Sequence, residues 1–240
     1  ATLIPGIRVD ELLTDGNTVC GVVAGEDKLA ADVVIAADGA NSFLAKKAGL
    51  RKDFHPEEMG VGVKEVIEMP QDRIEERFNL SEGEGLAQHF VGDCTKGIQG
   101  GGFIYTNKAS ISLGIVVHLD GLMQKKMEVF ELLDNFKSHP TVKDLVKGGS
   151  VVEYSAHLVP EGGLAMMPRL CTDGLLVVGD AAGLAVNNGI TTRGMDFAIM
   201  SGIAAAETVK RAYEKKDFSR ESLSHYETLL TNSFVLKDLR

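Results

Sequence analysis

Residues 174–196 read GLLVVGDAAGLAVNNGITTRGMD. An apolar run, Leu175 to Val178, ends in Gly179-Asp180. Ala181, Ala182 and Gly183 follow, then a Gly/Asn/Thr loop, then a long helix predicted over 194–216. A short, continuously apolar run suits a strand buried on both faces, the habit of parallel sheets. Where such a strand ends beside a helix start, doubly wound folds bind ligands. Gly179 lets a ligand approach the backbone, and Asp180 offers two acceptor oxygens for the hydroxyls of a ribose or ribityl chain. Ala181, Ala182 and Gly183 keep the space clear. The plain reading stays open beside this one: an Asp after a strand often caps a helix, and Gly/Ala-rich helices often simply pack tightly.

The helix opening at Gly194 presents free N–H groups and the positive end of a dipole, which favour an anion. A reduced flavin is an anion of this kind, and Arg193 is expected to add to the field. Upstream, residues 2–14, 17–24 and 27–36 read as three strands, with turns at Asp15-Gly16-Asn17 and Gly25-Glu26-Asp27. The third becomes VVIAA at 33–37, which predicts burial on both faces, and stops at Asp38-Gly39; FLAKKAGL then reads as a short helix. Asp38-Gly39 carries the same ambiguity between turn and ligand site.

The middle of the chain has a different character. GVGVKEVIEM (60–69) alternates as a strand, PQDRIEERF (70–78) reads as a helix, and 101–119 reads as a hairpin turning at Asn107-Lys108. Residues 125–140 are predicted as an amphipathic helix with Met127, Phe130, Leu133 and Phe136 one turn apart. Strand 151–159 and a helix over 222–239 complete the reading. The fold class expected is α/β: a partial Rossmann-like domain at 1–54 and 166–240, with a mostly antiparallel domain inserted at 55–165.

Composition excludes several classes. The chain has 240 residues, 44% hydrophobic and 25% charged, with a net charge of -9. That acidity argues against a nucleic-acid surface. Cys20, Cys94 and Cys171 stand far apart, without the C-x-x-C spacing of a zinc or iron–sulfur site. The six histidines are scattered and there is no H-E-x-x-H, so no metal site is expected. No G-x-S-x-G marks a hydrolase elbow. No apolar run approaches the length of a transmembrane helix. Isolated thiols suit a reducing, cytoplasmic compartment. The opening ATLIPGIRVDE, without a Met, is expected to be the middle of a longer fold.

Two stretches place the chain in a family. ADVVIAADGANS resembles the DG motif of the flavoprotein-hydroxylase superfamily, and GLLVVGDAAG…NNGITTRGMDFAIMSG resembles its GD motif and flavin helix. EGGLAMMPRL (161–170) resembles the segment before the GD strand in one branch, which holds the electron-transfer-flavoprotein:quinone oxidoreductases, the FixC-type proteins and the geranylgeranyl reductases. The FixC-type resemblance runs over essentially the whole chain. It implies FAD as cofactor, with Gly179 and Asp180 at its pyrophosphate and ribityl part and Ala181, Ala182 and Gly183 lining that passage. It implies Gly194, Met195 and Asp196 near the flavin ring, and Asp38 and Gly39 near the pyrophosphate and a nicotinamide route. It also implies electrons taken from an electron-transfer flavoprotein and passed to a quinone or a ferredoxin-like protein, with peripheral membrane contact at most.

The sequence departs from the pattern twice. No G-x-G-x-x-G is present, so the half-site for the adenosine diphosphate part of FAD is expected to be missing. Lys46 and Lys47 stand where hydroxylases usually carry an Arg, which favours a protein electron donor over NAD(P)H. A geranylgeranyl-reductase-like enzyme, a hydroxylase-like enzyme and a fragment without cofactor are the competing readings. Tyr154 and His157 are weighed as facing a substrate cavity against ordinary packing or surface, and Gly100–Gly102 as ligand approach against bulge. Met166-Met167, weighed as core against quinone contact, reads as core.

Overall fold

The computed structural model of the chain describes residues 2–189 and 192–240. Ile190 and Thr191, in the loop of the quoted stretch, lie outside the described residues. The chain forms two units. One comprises Ala1–Phe54, Gly162–Val186 and Arg193–Arg240; the other comprises His55–Glu161 and Asn187–Thr192.

The first unit opens with β1 (Glu11–Asp15), β2 (Thr18–Ala24) and β3 (Asp27–Ala30), an antiparallel sheet in that order. Gly16 and Gly25 take the left-handed conformation in the two turns, as the sequence predicts. The first strand begins at Glu11, later than expected. The expected strand over 27–36 is divided: β3 is exposed at every residue, whereas β4 (Val34–Ala36) belongs to another sheet and buries Val34 and Ala36. Ile35 is 43% exposed, so the VVIAA run buries one face here and not both. Asp38-Gly39 then leads into α1 (Phe43–Lys47).

The second unit is a five-stranded antiparallel sheet with helices. β5 (Met59–Glu68) is followed by α2 (Gln71–Phe78), β6 (Ala87–Phe90), β7 (Gly100–Thr106) and β8 (Ser110–His118). α3 (Leu119–Lys125), α4 (Val129–Ser138), α5 (Pro140–Val146) and β9 (Ser150–Pro160) follow. The strand order is β6-β7-β8-β5-β9. β7 and β8 are the predicted hairpin. The predicted helix over 125–140 is shorter: α4 buries Leu132, Leu133 and Phe136, while Phe130 is 50% exposed and Met127 precedes the helix. Leu133 and Phe136 are buried as expected and Met127 packs partly buried against the same core, while Leu132 is buried in place of Phe130. α3 was not predicted; its Gly121 lets the helix close on Ile98, where a Cβ would come within 2.6 Å.

Two of the three glycines opening β7 serve packing. Gly100 has φ +143 and a Cβ there would meet the Val116 carbonyl; a Cβ on Gly102 would stand 2.8 Å from the Phe136 ring. Tyr154 and His157 are exposed on β9, an edge strand of the sheet.

The chain then returns to the first unit. Met166 is buried, and Met167 packs partly buried against this unit's core. β10 (Cys171–Thr172) pairs antiparallel with β11 (Leu175–Val177), and β11 pairs parallel with β4, Leu175 opposite Val34 and Val177 opposite Ala36. The apolar GLLVV run is therefore the fully buried parallel strand it was read to be. Short strands β12 (Val186–Asn187) and β13 (Thr192–Arg193) precede α6 (Met195–Lys215). α6 buries Phe197, Ser201, Ala204, Ala205, Thr208 and Ala212, a stripe of mostly small residues that lets it lie close to its neighbours. The helix predicted over 222–239 is three: α7 (Arg220–Leu223), α8 (His225–Asn232) and α9 (Phe234–Asp238). The Ser233 side chain accepts from the Val235 amide at 3.1 Å, capping α9 and ending the run.

Candidate functional site

β4 and β11 run side by side in the same direction, so both lead out at the same edge of their sheet. Each is followed within a few residues by a carboxylate, Asp38 after β4 and Asp180 after β11. The Val178 amide donates to the Ala36 carbonyl at 3.0 Å, carrying the pairing to the point where both strands turn. Residues Gly179–Ala182 form one turn of 3-10 helix, entered by Gly179 at φ +61 and left by Gly183 at φ +70. Glycine alone takes these left-handed angles without strain.

The two motifs meet through α1 and the segment behind it. The buried Ser42 hydroxyl donates to the Ala181 carbonyl at 3.3 Å. The buried Arg51 guanidinium donates to the same carbonyl at 2.5 Å and to the Met166 carbonyl at 3.1 Å, and stacks over the Phe54 ring. Arg51 thus braces the turn that carries Asp180. Lys46 and Lys47, the basic residues noted in the sequence, instead form surface ion pairs with Asp53 and Glu11.

α6 meets the same turn. The Gly179 amide donates to Ser201 Oγ at 2.9 Å. A Cβ on Gly194 would lie 3.1 Å from that of Ala185. The structure therefore gathers Gly179–Gly183, Gly194–Asp196 and Asp38-Gly39 around one strand edge.

Their electrostatics differ from one another. Asp38 Oδ2 accepts from the Leu44 amide at 2.9 Å, a cap on α1, while Oδ1 is buried with no hydrogen-bond partner in the described structure. A buried, unmatched acceptor calls for a donor. Met195 is 81% exposed on the first turn of α6. Arg193 is committed: it donates to Asp196 Oδ2 at 2.8 and 2.5 Å and to Asp238 Oδ2 at 2.8 Å, and stacks over Phe197 at 4.6 Å. Its hydrogen bond holds the Asp196 carboxyl below the ordinary aspartate range, helped by the Asp196 and Phe197 amides. The Arg193 charge is thus balanced by two carboxylates and tethers α6 to α9, rather than standing bare at the helix end. Among the described residues no cluster of His, Cys, Asp and Glu suits a metal ion.

The model for the ubiquinone-binding segment of electron-transfer-flavoprotein:quinone oxidoreductase matches residues 59–159, within the second unit. The probable electron transfer flavoprotein-quinone oxidoreductase YdiS of Escherichia coli (strain K12) is 50% identical over 240 residues, all of this chain and 56% of YdiS. The protein FixC of the same strain is 49% identical over the same length, again 56% of the relative. The chain belongs to the FixC/electron-transfer-flavoprotein:quinone oxidoreductase family. This FixC-family chain spans about half the length of the curated relatives it matches. Among solved structures, a geranylgeranyl bacteriochlorophyll reductase-like protein from Thermoplasma acidophilum superposes with a TM-score of 0.72 over 93% of this chain and 53% of that one, at 22% identity. The flavin-dependent brominase Bmp2 gives 0.67 over 92% and 54%, at 17% identity. Likenesses at that identity show the fold of the FixC-family chain and nothing finer.

Sequence reasoning missed Arg51 and Ser201. Arg51 sits in no motif, twelve residues after Gly39; Ser201 falls inside the quoted flavin-helix stretch, in the second turn of α6, but the motif reading assigns it no role. A buried arginine near a strand end and a serine on a helix's small-residue stripe are signals that gain meaning once the turn they hold is known.

Proposed function

We propose that this chain is part of an FAD-dependent oxidoreductase that takes electrons from an electron-transfer flavoprotein and passes them to a quinone or a ferredoxin-like acceptor. The observation that carries the reading is the joint one: near 50% identity to YdiS and FixC over every residue, together with two carboxylates and a helix opening gathered at one parallel strand edge. FAD, when bound, supplies the redox chemistry; this chain's residues supply position and polarity.

The residues present fit such a group. Gly179, Asp180, Ala181, Ala182 and Gly183 would hold its ribityl and pyrophosphate portion, with Asp180 accepting from hydroxyls. The unmatched Asp38 Oδ1 suits a hydroxyl donor better than a phosphate oxygen, since two anions would repel. Gly39 leaves the approach clear. Gly194, Met195 and Asp196 would present backbone amides to the flavin ring, and Arg193 would hold that helix end in place through Asp196 and Asp238. The second unit, which carries the ubiquinone-binding match, would face the quinone. No helix among the described residues is long and apolar enough to cross a membrane; contact with a quinone-bearing bilayer would be peripheral.

The test is direct. The full-length protein, purified and scanned, should show the visible absorption bands of bound flavin. It should bleach when mixed with reduced electron-transfer flavoprotein and recover on addition of a soluble ubiquinone analogue. A colourless full-length protein would sink the reading; a coloured one that reduces no quinone would redirect it to another acceptor.

A further inference from the structure

Glu161 follows directly on β9 in the second unit, and its side chain is 0% exposed. Its backbone is anchored by a bond from its amide to the Glu58 carbonyl at 2.8 Å. Its carboxylate fills a space that Gly60, on β5, leaves open: a Cβ there would lie within 2.8 Å of all three carboxyl atoms. Burying a carboxylate is costly, so its contacts decide what it does.

Those contacts converge on the segment by which the chain leaves and re-enters this unit. Glu161 Oε1 accepts from Asn187 Nδ2 at 3.2 Å and from Thr192 Oγ1 at 2.6 Å. On the other side, His118 Nε2 at the end of β8 lies 3.1 Å from Oε2, without the alignment of a hydrogen bond. Asp120 Oδ1, on α3, lies 3.7 Å from His118 Nδ1. Asn187 passes the constraint on: its Oδ1 accepts from the Gly189 amide at 2.8 Å.

We propose that Glu161 is a positioning residue: one buried carboxylate oxygen ties Asn187 to Thr192, the two ends of the crossing segment, and so sets the lead-in to α6. The consequence for a cofactor rests on the flavin reading above. Thr192 stands three residues before Met195, so freeing it loosens the backbone that delivers Gly194, Met195 and Asp196 to their place. The carboxylate is suited to this task because one oxygen takes two donors at once. An apolar residue of the same volume would fill the space and hold neither end.

The experiment is hydrogen exchange at the Gly189 amide, with visible circular dichroism, on the full-length protein and its Glu161→Leu and Glu161→Gln variants. Leucine fills the buried space without an acceptor; glutamine keeps one. Glu161→Leu should speed Gly189 exchange by about tenfold, the loss of roughly one net hydrogen bond, and should alter the flavin band in circular dichroism. Glu161→Gln should stay within about threefold of wild type, since an acceptor oxygen remains. Unchanged Gly189 exchange in the leucine variant would overturn the proposal, as would a glutamine variant that exchanges as fast as the leucine one. An altered exchange rate with an unaltered flavin band would remove the link to α6. A full-length protein without flavin would sink the flavin reading, while the exchange comparison would still decide the role of Glu161.

Discussion

The Gly179 amide donates to Ser201 Oγ at 2.9 Å, and the same hydroxyl donates to the Ala198 carbonyl at 2.7 Å. A side chain in the second turn of α6 thereby holds the first residue of the turn after β11. Ser201→Ala would leave the buried Gly179 amide unmatched, at a cost of about 1–3 kcal/mol. Urea unfolding should show a lower midpoint with an unchanged slope. A variant as stable as wild type would mean the amide finds another acceptor.

Asp180→Ala in the full-length protein is expected to weaken FAD retention without loss of fold. Flavin content after gel filtration, against the melting temperature of the apoprotein, separates the two effects. Full flavin content in the variant would remove Asp180 from the cofactor's contacts.

Cys171 is 1% exposed, and burial pushes its thiol up to about 11. A thiol both buried and protonated reacts slowly. Ellman's reagent at mildly alkaline pH should therefore spare Cys171 in the native chain and reach it after urea is added, as read by mass spectrometry of the labelled peptides.

Asp196 should make a small, pH-dependent contribution to stability. Its folded value is depressed, so the stabilisation is present above the ordinary aspartate range and is lost as pH falls through the depressed value. Both Arg193 and Asp196 are more than a third exposed, and solvent and salt screen the pair. The melting-temperature gap between wild type and Asp196→Asn should hold steady from about pH 7 to pH 5, then close on acidification below the ordinary aspartate range. It should also narrow in high salt. A gap that grows at low pH would contradict the assignment.

Gly102→Ala should destabilise the second unit by about 1–3 kcal/mol, because its Cβ would press on the Phe136 ring from 2.8 Å and α4 would have to move. Pairing it with Phe136→Leu should recover part of the loss, a coupling measurable as a double-mutant cycle.

Much of the architecture was legible in the residues because it is local. The Leu175–Val178 run announced a fully buried strand, the glycines at 16 and 25 announced hairpins, and the 60–69 alternation announced β5. What the sequence concealed depends on partners far along the chain. Ile35 looks like a residue buried from both sides until β4 is seen at the end of its sheet. Phe130 fits a helical stripe, yet the neighbours of α4 select Leu132 instead. At the candidate site, the glycines and carboxylates of both motifs were readable as types. The braces Arg51, Ser42 and Ser201 were not, since their meaning lies in which carbonyl or amide they reach. The fate of Arg193 was hidden for the same reason, because Asp238 lies at the far end of the chain.

The pairing of β4 with β11 also has a kinetic side. Residues 34 to 36 must wait for 175 to 177, so the ribosome exposes the whole β5–β9 sheet before the first unit can close. Non-local parallel pairing is slow in any case. Nascent chains should thus carry an early-finished insert while β4 still lacks its β11 neighbour. That interval, rather than the finished protein, is where chaperones would be needed and where aggregation would begin.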